Sequence, residues 1–291
     1  MNDNLRGAGF MVAAMLGFAI EDMLLKRVSA AGLPVGQVLL IFGAGGALVF
    51  AALTRRAGQP LWHPAVIGPR MLLKAGFEVM GRLFYTLAIA LTPLSTASAI
   101  LQATPLVVVA GAALIFGEKV GWRRWSAILA GLCGVLVILR PGLEGFNALS
   151  LLAVAGLIGF AGRDLATRAA PKVLSNLQLG IYGFLAMVPT GLGLMLWQGG
   201  AVWPDAVAWG QLAVAIGFGV FAYWALTVAM RLGEVSAVTP FRYTRLVFAL
   251  VLGMVVFGER PDLQTILGSG IVVAAGLYTL LRSRKVASQK G

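Results

Sequence analysis

The chain has 291 residues, of which 59% are hydrophobic and only 12% charged, and its mean hydropathy is +0.89. Soluble domains carry about 25% charged residues, so a soluble globular protein is excluded; 38 glycines set in apolar stretches point instead to helices packed backbone to backbone in lipid. The net charge of +12 is scattered singly or in pairs between apolar runs, which argues against a nucleic-acid partner and for basic loops at a membrane surface.

A bilayer core about 30 Å thick takes about 20 helical residues to cross. Ten apolar runs of that order follow one another, at residues 7–25, 35–53, 71–91, 94–116, 123–140, 147–168, 176–197, 206–230, 235–257 and 263–281. They are read as helices, because a backbone exposed to lipid must satisfy its hydrogen bonds within its own segment, and the runs are too long and too uniformly apolar for barrel strands. The first run, with Arg6 before it and Ser29-Ala30-Ala31 after it, has the outline of a signal peptide. Its ending recurs later in the chain, which assigns it to a repeat instead. Cys133 is the single cysteine and lies in an apolar run, so no intrachain disulfide can form, and His63 alone supplies no zinc site.

Lysine and arginine bookkeeping orients the bundle. With the N-terminus inside, 14 of the 23 basic residues fall on the cytoplasmic side, 4 outside and 5 within spans. Both termini are therefore expected to be cytoplasmic, and the membrane to be the inner (plasma) membrane.

Shifted by 141 or 142 residues, the two halves align. Gly17-Phe18-Ala19 meets Gly159-Phe160-Ala161, Asp22 meets Asp164, Lys26 meets Arg168, Gln37 meets Gln178, Gly76 meets Gly217, Ser95 meets Ser236, and Phe116-Gly117-Glu118-Lys119 meets Phe257-Gly258-Glu259-Arg260. Five spans per copy is an odd number, so the second copy enters the membrane from the opposite side. The expected fold class is an all-α membrane protein of ten transmembrane helices, in two inverted five-helix repeats around a central cavity. Residues 1–143 form the first repeat, 144–284 the second and 285–291 a cytoplasmic tail. Two inverted copies that exchange conformations open a cavity to each side in turn, so the symmetry itself argues for alternating access.

The doubled five-span unit, the Gly-Glu-basic sequence after the fourth and ninth spans, and Pro105 thirteen residues before Glu118 resemble the drug/metabolite transporter superfamily, specifically its EamA-like ten-helix members and most closely the bacterial exporters of aromatic and other amino acids. The resemblance covers nearly the whole chain. It departs at Leu246, which stands where a second proline would match Pro105; the ninth span carries Pro240 instead. The resemblance implies export of a small metabolite through a central cavity, lined here by Glu78, Arg82, Tyr85, Gln102, Tyr223, Trp224, Arg242, Tyr243 and Arg245.

Ionisable groups at mid-membrane cost at least roughly 2.5–3.5 kcal/mol each on insertion scales and so should face a cavity or a partner. Lys74, Glu78 and Arg82 fall at i, i+4 and i+8 with Tyr85 nearby, one stripe of the third span. It either lines the cavity or, by pairing Glu78 with Arg82, neutralises itself inside the bundle. Arg242 and Arg245 follow Pro240, whose missing N–H frees an upstream carbonyl; they would attract a carboxylate, the substrate's or that of Glu78, or bind fixed partners in the bundle. Asp22 and Asp164 are repeat equivalents, expected near the outer and the inner face. With Glu21 and Arg163 they are candidate gating latches, against the plainer reading of i,i+4 pairing with Lys26 and Arg168 at solvated helix ends.

No phosphate-binding loop, His-Glu-x-x-His pair or metal-ligand spacing is present in the sequence. ATP hydrolysis, a metal and a cofactor are therefore not expected, nor is an enzyme: movement runs downhill or is coupled to an ion, with a proton on Glu78 as the candidate coupling. Burial and the nearby Arg82 act on that carboxyl in opposite senses. The leading reading is a secondary transporter or facilitator exporting small metabolites, amino acids first. The alternatives are a multidrug/organic-cation or sugar-phosphate transporter of the same fold, a channel, or an intramembrane enzyme.

Overall fold

The computed structural model describes residues 3–91, 100–139, 148–257 and 262–288, and all regular structure among them is helical. The long helices of the first half are α1 (Asp3–Ala30), α2 (Val35–Arg56), α3 (Pro69–Leu91), α4 (Thr104–Phe116) and α5 (Trp122–Leu139). The second half holds α6 (Ser150–Ala169), α7 (Asn176–Leu185), α8 (Met187–Gln198), α9 (Ala206–Leu232), the single turn α10 (Val235–Val238), α11 (Thr244–Phe257) and α12 (Leu263–Ser288).

Seven stretches among the described residues are long and apolar enough to cross a membrane: α1, α2, α5, α6, the α7–α8 pair, α9, and Val235–Val256. α3 is 23 residues long but carries Arg70, Lys74, Glu78 and Arg82. α4 and the Leu263–Tyr278 part of α12 are apolar but shorter. The expected span at 94–116 lies partly outside the described residues, and its helix α4 begins at Thr104.

Two of the expected helices are broken, each by a proline. The run at 176–197 changes helix at Ala186, three residues before Pro189, which has no N–H to return to the carbonyl of Leu185. The run at 235–257 winds as a 3-10 turn over Thr239–Tyr243, with Pro240 inside it, before α11 resumes α geometry.

Helix pairing follows the repeat. α1 packs along α9, and α3 packs along α6; α5 crosses α12, and α2 crosses the α7–α8 pair. Exchanging the two halves turns the first pairing into the second and leaves the other two unchanged, the pattern of a pseudo-two-fold axis. The matched residues sit where that axis requires. A methyl on Gly159 would stand 2.3 Å from the backbone nitrogen of Gly81, and one on Gly17 would stand 2.9 Å from Cβ of Ala222, at the two equivalent crossings. Gly76 and Gly217, also repeat partners, face open space. Gln37 exchanges two hydrogen bonds with the backbone of Val202 in the loop before α9, and Gln178 donates to the carbonyl of Pro60 in the loop before α3.

The apolar core sits between α1, α2, α7 and α9. Phe184 is its hub, 5.2 Å from Phe42, 5.6 Å from Phe50 and 5.5 Å from Tyr223 between ring centroids. Tyr223 lies on the side of this cluster that meets α3, and so joins the apolar core to the charged site.

Candidate functional site

The charged stripe of α3 faces α6 and α9. The ammonium of Lys74 donates to the Tyr223 hydroxyl at 2.7 Å, and that hydroxyl donates to Glu78 Oε2 at 2.9 Å; Lys74 Nζ itself lies 3.7 Å from the same oxygen. Across the α3–α6 crossing, Arg163 Nη1 reaches Glu78 Oε1 at 3.3 Å. The same guanidinium binds Asp164 Oδ1 through Nε at 2.9 Å, and Asp164 Oδ2 accepts from Arg242 in the 3-10 turn. Lys74, Tyr223, Glu78, Arg163, Asp164 and Arg242 therefore form one continuous chain from α3 to the ninth apolar run. Ions taken out of water need a partner on each side, and here every link supplies one: Glu78, fully buried, has three donors around it.

A second pair lies apart from this chain. Arg245 donates through Nε to Asp22 Oδ2 at 2.8 Å, with side-chain exposures of 34% and 50%. Its guanidinium stacks over Phe18 at 5.1 Å from the ring centroid, while those of Arg163 and Arg82 lie 5.1 and 5.9 Å from Phe160. Phe18 and Phe160 are repeat equivalents, so each half offers an arginine an aromatic face. The Gly-Phe-Ala repeat was the signal for these rings, and sequence reasoning read it only as symmetry.

The other expected site residues divide. Arg82 is half-buried with no partner for its Nε among the described residues, and Tyr85 packs on Phe160 at 5.9 Å between centroids. Glu21 is buried against α9, where its Oε2 has no hydrogen-bond partner among the described residues. Trp224 packs edge-on against Phe10 between α1 and α9, and Tyr243 is buried against Gly131 of α5 with Val135 and Val272. Gln102 is half-buried just before α4 and makes no hydrogen bond to the charged cluster among the described residues. Glu78 pairs with Lys74 and Arg163 rather than with Arg82. Asp22 and Asp164, expected at opposite faces, bind arginines only three positions apart. Their anticipated i,i+4 partners are not used; Arg168 donates to the carbonyls of Met230 and Arg231 at the end of α9.

One end of the bundle is held together by polar contacts. Gly117 takes φ +65°, a left-handed turn that ends α4 and delivers Glu118 to the next helix end. The Glu118 carboxylate accepts the N–H groups of Val235 and Ser236 at 2.9 and 3.0 Å. Arg124 donates to Ser236 Oγ at 2.7 Å and to Glu234, and Glu234 N–H donates to Asn4 at 2.8 Å. These contacts hold α1, α4, α5 and the start of α10 together. The repeat partners Glu259 and Ser95 lie outside the described residues.

A pseudo-symmetric bundle of apolar helices wrapped around a buried ionic chain defines a multi-pass membrane protein of the transporter class. A model of the EamA-like transporter family matches residues 5–140 and 148–281, one match per half, and the chain belongs to that family. It is 31% identical over 287 residues to a riboflavin transporter of Vibrio cholerae serotype O1, covering 92% of this chain and 91% of that one. It is 29% identical over 286 residues to the pseudopaline exporter CntI of Pseudomonas aeruginosa, covering 96% and 97%. It is 27% identical over 212 residues to an S-adenosylmethionine uptake transporter of Rickettsia prowazekii, covering 72% and 71%. A crystal structure at 22% identity superposes with a TM-score of 0.79 over 96% of this chain and 98% of that one, which speaks to the fold. The family and these relatives are transporters of small molecules.

Proposed function

We propose that the protein exports a zwitterionic metabolite of the amino-acid kind across the inner membrane by alternating access. In this reading ten spans form two inverted repeats, residues 1–143 and 144–284, followed by a tail at 285–291, and both termini are cytoplasmic. The relatives' differing substrates leave the choice to the charged cluster. That cluster is the observation that carries the reading. Five basic side chains (Lys74, Arg82, Arg163, Arg242 and Arg245) meet four acidic ones (Glu21, Asp22, Glu78 and Asp164), a mixture that suits a ligand carrying both signs. A sugar phosphate calls for a larger excess of bases, and a lipophilic cation for fewer arginines.

In the proposed orientation, the Glu118 end is cytoplasmic and closed, and the half-exposed Asp22–Arg245 pair opens the cluster outward. The substrate's carboxylate competes for Arg245 and Arg242, its ammonium for Asp22, and the exchange of partners frees the helices to rock. Counterflow in proteoliposomes loaded with unlabelled solute tests this, using tritiated amino acids, labelled sugar phosphates and labelled organic cations. Saturable exchange of amino acids alone is expected. Exchange of sugar phosphates or cations instead moves the protein to those substrates, and silence across the panel removes the transport reading.

A further inference from the structure

We propose that Glu21 carries the proton that drives the transport cycle, which rests on the transport reading above and moves the coupling role away from Glu78. Glu78 is spoken for: Tyr223 and Arg163 donate to it, and Lys74 lies beside it. Glu21 is 1% exposed, and its Oε2 has no hydrogen-bond partner among the described residues.

The repeat explains why. At the α3–α6 crossing, Glu78 faces Arg163. Their counterparts at the α1–α9 crossing are Gly219, at the shift of 141 that relates Gly76 to Gly217, and Glu21, at the shift of 142 that relates Asp22 to Asp164. The second crossing thus has a glycine where the first has its acid and an acid where the first has its base, so no base faces Glu21 from the position equivalent to Glu78.

What faces this carboxyl is specific. The charges that act on it are Arg82 of α3, Arg163 of α6 and Arg245 of the ninth apolar run, with Asp22 beside it on its own helix. α9 presents only the bare Gly219, against which Phe42 of α2 also packs. Arg163 and Arg245 are engaged with Asp164 and Asp22. Arg82 makes no ion pair with Glu21 among the described residues, although its own Nε also lacks a partner.

Among the described residues Glu21 Oε2 is therefore left without a donor, and the room for one is limited. A single methyl on Gly219 would already stand 2.4 Å from the Phe42 ring, so the space on the Gly219 side of Oε2 has no room for a substrate ammonium. A metal ion needs several ligands, and the described residues hold no group of three acidic, His or Cys side chains that could supply them. A proton fits. Release breaks the carboxyl O–H bond and passes the proton to water on the open side, and the guanidinium of Arg82 moves in to donate to the carboxylate left behind.

Two measurements test this. In the infrared spectrum of the protein in lipid nanodiscs near neutral pH, the carbonyl stretch of a protonated carboxyl is expected in the wild type. It should be absent in Glu21→Gln, kept in Glu78→Gln, and present but shifted in Glu21→Asp, the last guarding against a folding defect of the first. A wild type without the band, or a band that survives Glu21→Gln, overturns the proposal. In proteoliposomes with the membrane potential clamped at zero, one unit of pH gradient should drive about tenfold accumulation of tritiated amino acid per coupled proton. Glu21→Gln should reach only the equilibrium distribution. A wild type that exchanges amino acids yet ignores the pH gradient, or a Glu21→Gln that still accumulates, removes the proton role and leaves the transport reading standing. A Glu21-dependent band in a protein that moves no solute removes the transport reading and keeps the proton on Glu21.

Discussion

Arg163 on α6 donates to Glu78 on α3 across the helix crossing at 3.3 Å, and the carboxylate it holds is fully buried. Removing one member of a buried ion pair leaves the other charged and unmatched, at a cost of about 3–5 kcal/mol. Glu78→Ala should therefore lower the thermal unfolding midpoint in detergent, followed by tryptophan fluorescence. Tyr223→Phe, which deletes the hydroxyl linking Lys74 to Glu78, should cost less, about 1–3 kcal/mol. An unaltered midpoint for Glu78→Ala would mean that the ionic chain does not hold α3 to α6.

Periodicity made much of this legible, and partnership much less. The matching of Gly17 with Gly159 and of Gln37 with Gln178 was readable from a constant shift, and each pair occupies equivalent places in the bundle. Pro240 announced a break in its helix, and the 3-10 turn begins beside it. The stripe of Lys74, Glu78 and Arg82 correctly marked one face of α3, because spacing along a helix fixes a face. Spacing says nothing about which distant helix meets that face. Glu78 finds Arg163, 85 positions away, and Asp164 finds Arg242, 78 away, in place of the alternative Glu78–Arg82 and Asp164–Arg168 pairings. Glu118 accepts two N–H groups at the start of α10, and spacing does not reveal which helix end it meets, since the contact is 117 positions distant.

The close approach of Gly159 to Gly81 sets a steric test of the repeat. A methyl at Gly159 meets backbone, which cannot turn aside as a side chain can, so α3 and α6 must separate. Overpacking of this kind costs about 1–3 kcal/mol. Gly159→Ala should lower the unfolding midpoint and the yield of folded protein on size-exclusion chromatography. Gly217→Ala, in open space on α9, should match the wild type. Equal behaviour of the two would mean that the crossing is looser than described.

Closure at the Glu118 end can be read by cysteine labelling. Glu118→Ala strips the acceptor from two backbone N–H groups and releases the start of α10 from α4. In a background with Cys133 replaced by alanine, a cysteine at the fully buried Thr239 should then react about tenfold faster with an impermeant maleimide added on the Glu118 side, the equivalent of about 1.4 kcal/mol of lost closure. Glu118→Gln, which keeps one acceptor oxygen, should fall between. A labelling rate unmoved by either change would sink the role of this contact in closing the bundle.

The Asp22–Arg245 pair is the exposed counterpart of the buried chain, and exposure changes what it can do. With side-chain exposures of 50% and 34%, its contribution to stability is limited to about 1 kcal/mol or less, because solvent screens the attraction. Arg245→Ala should accordingly leave the unfolding midpoint almost unchanged. If the substrate carboxylate takes the guanidinium from Asp22, the same change should raise KM in the counterflow assay about tenfold, a loss of about 1.4 kcal/mol. The double variant Asp22→Asn with Arg245→Ala separates direct binding from release of the pair. Independent contacts to the two ends of a zwitterion give additive losses, whereas a latch that must break gives a double variant little worse than either single one. An Arg245→Ala protein with wild-type KM would take this arginine out of the substrate path.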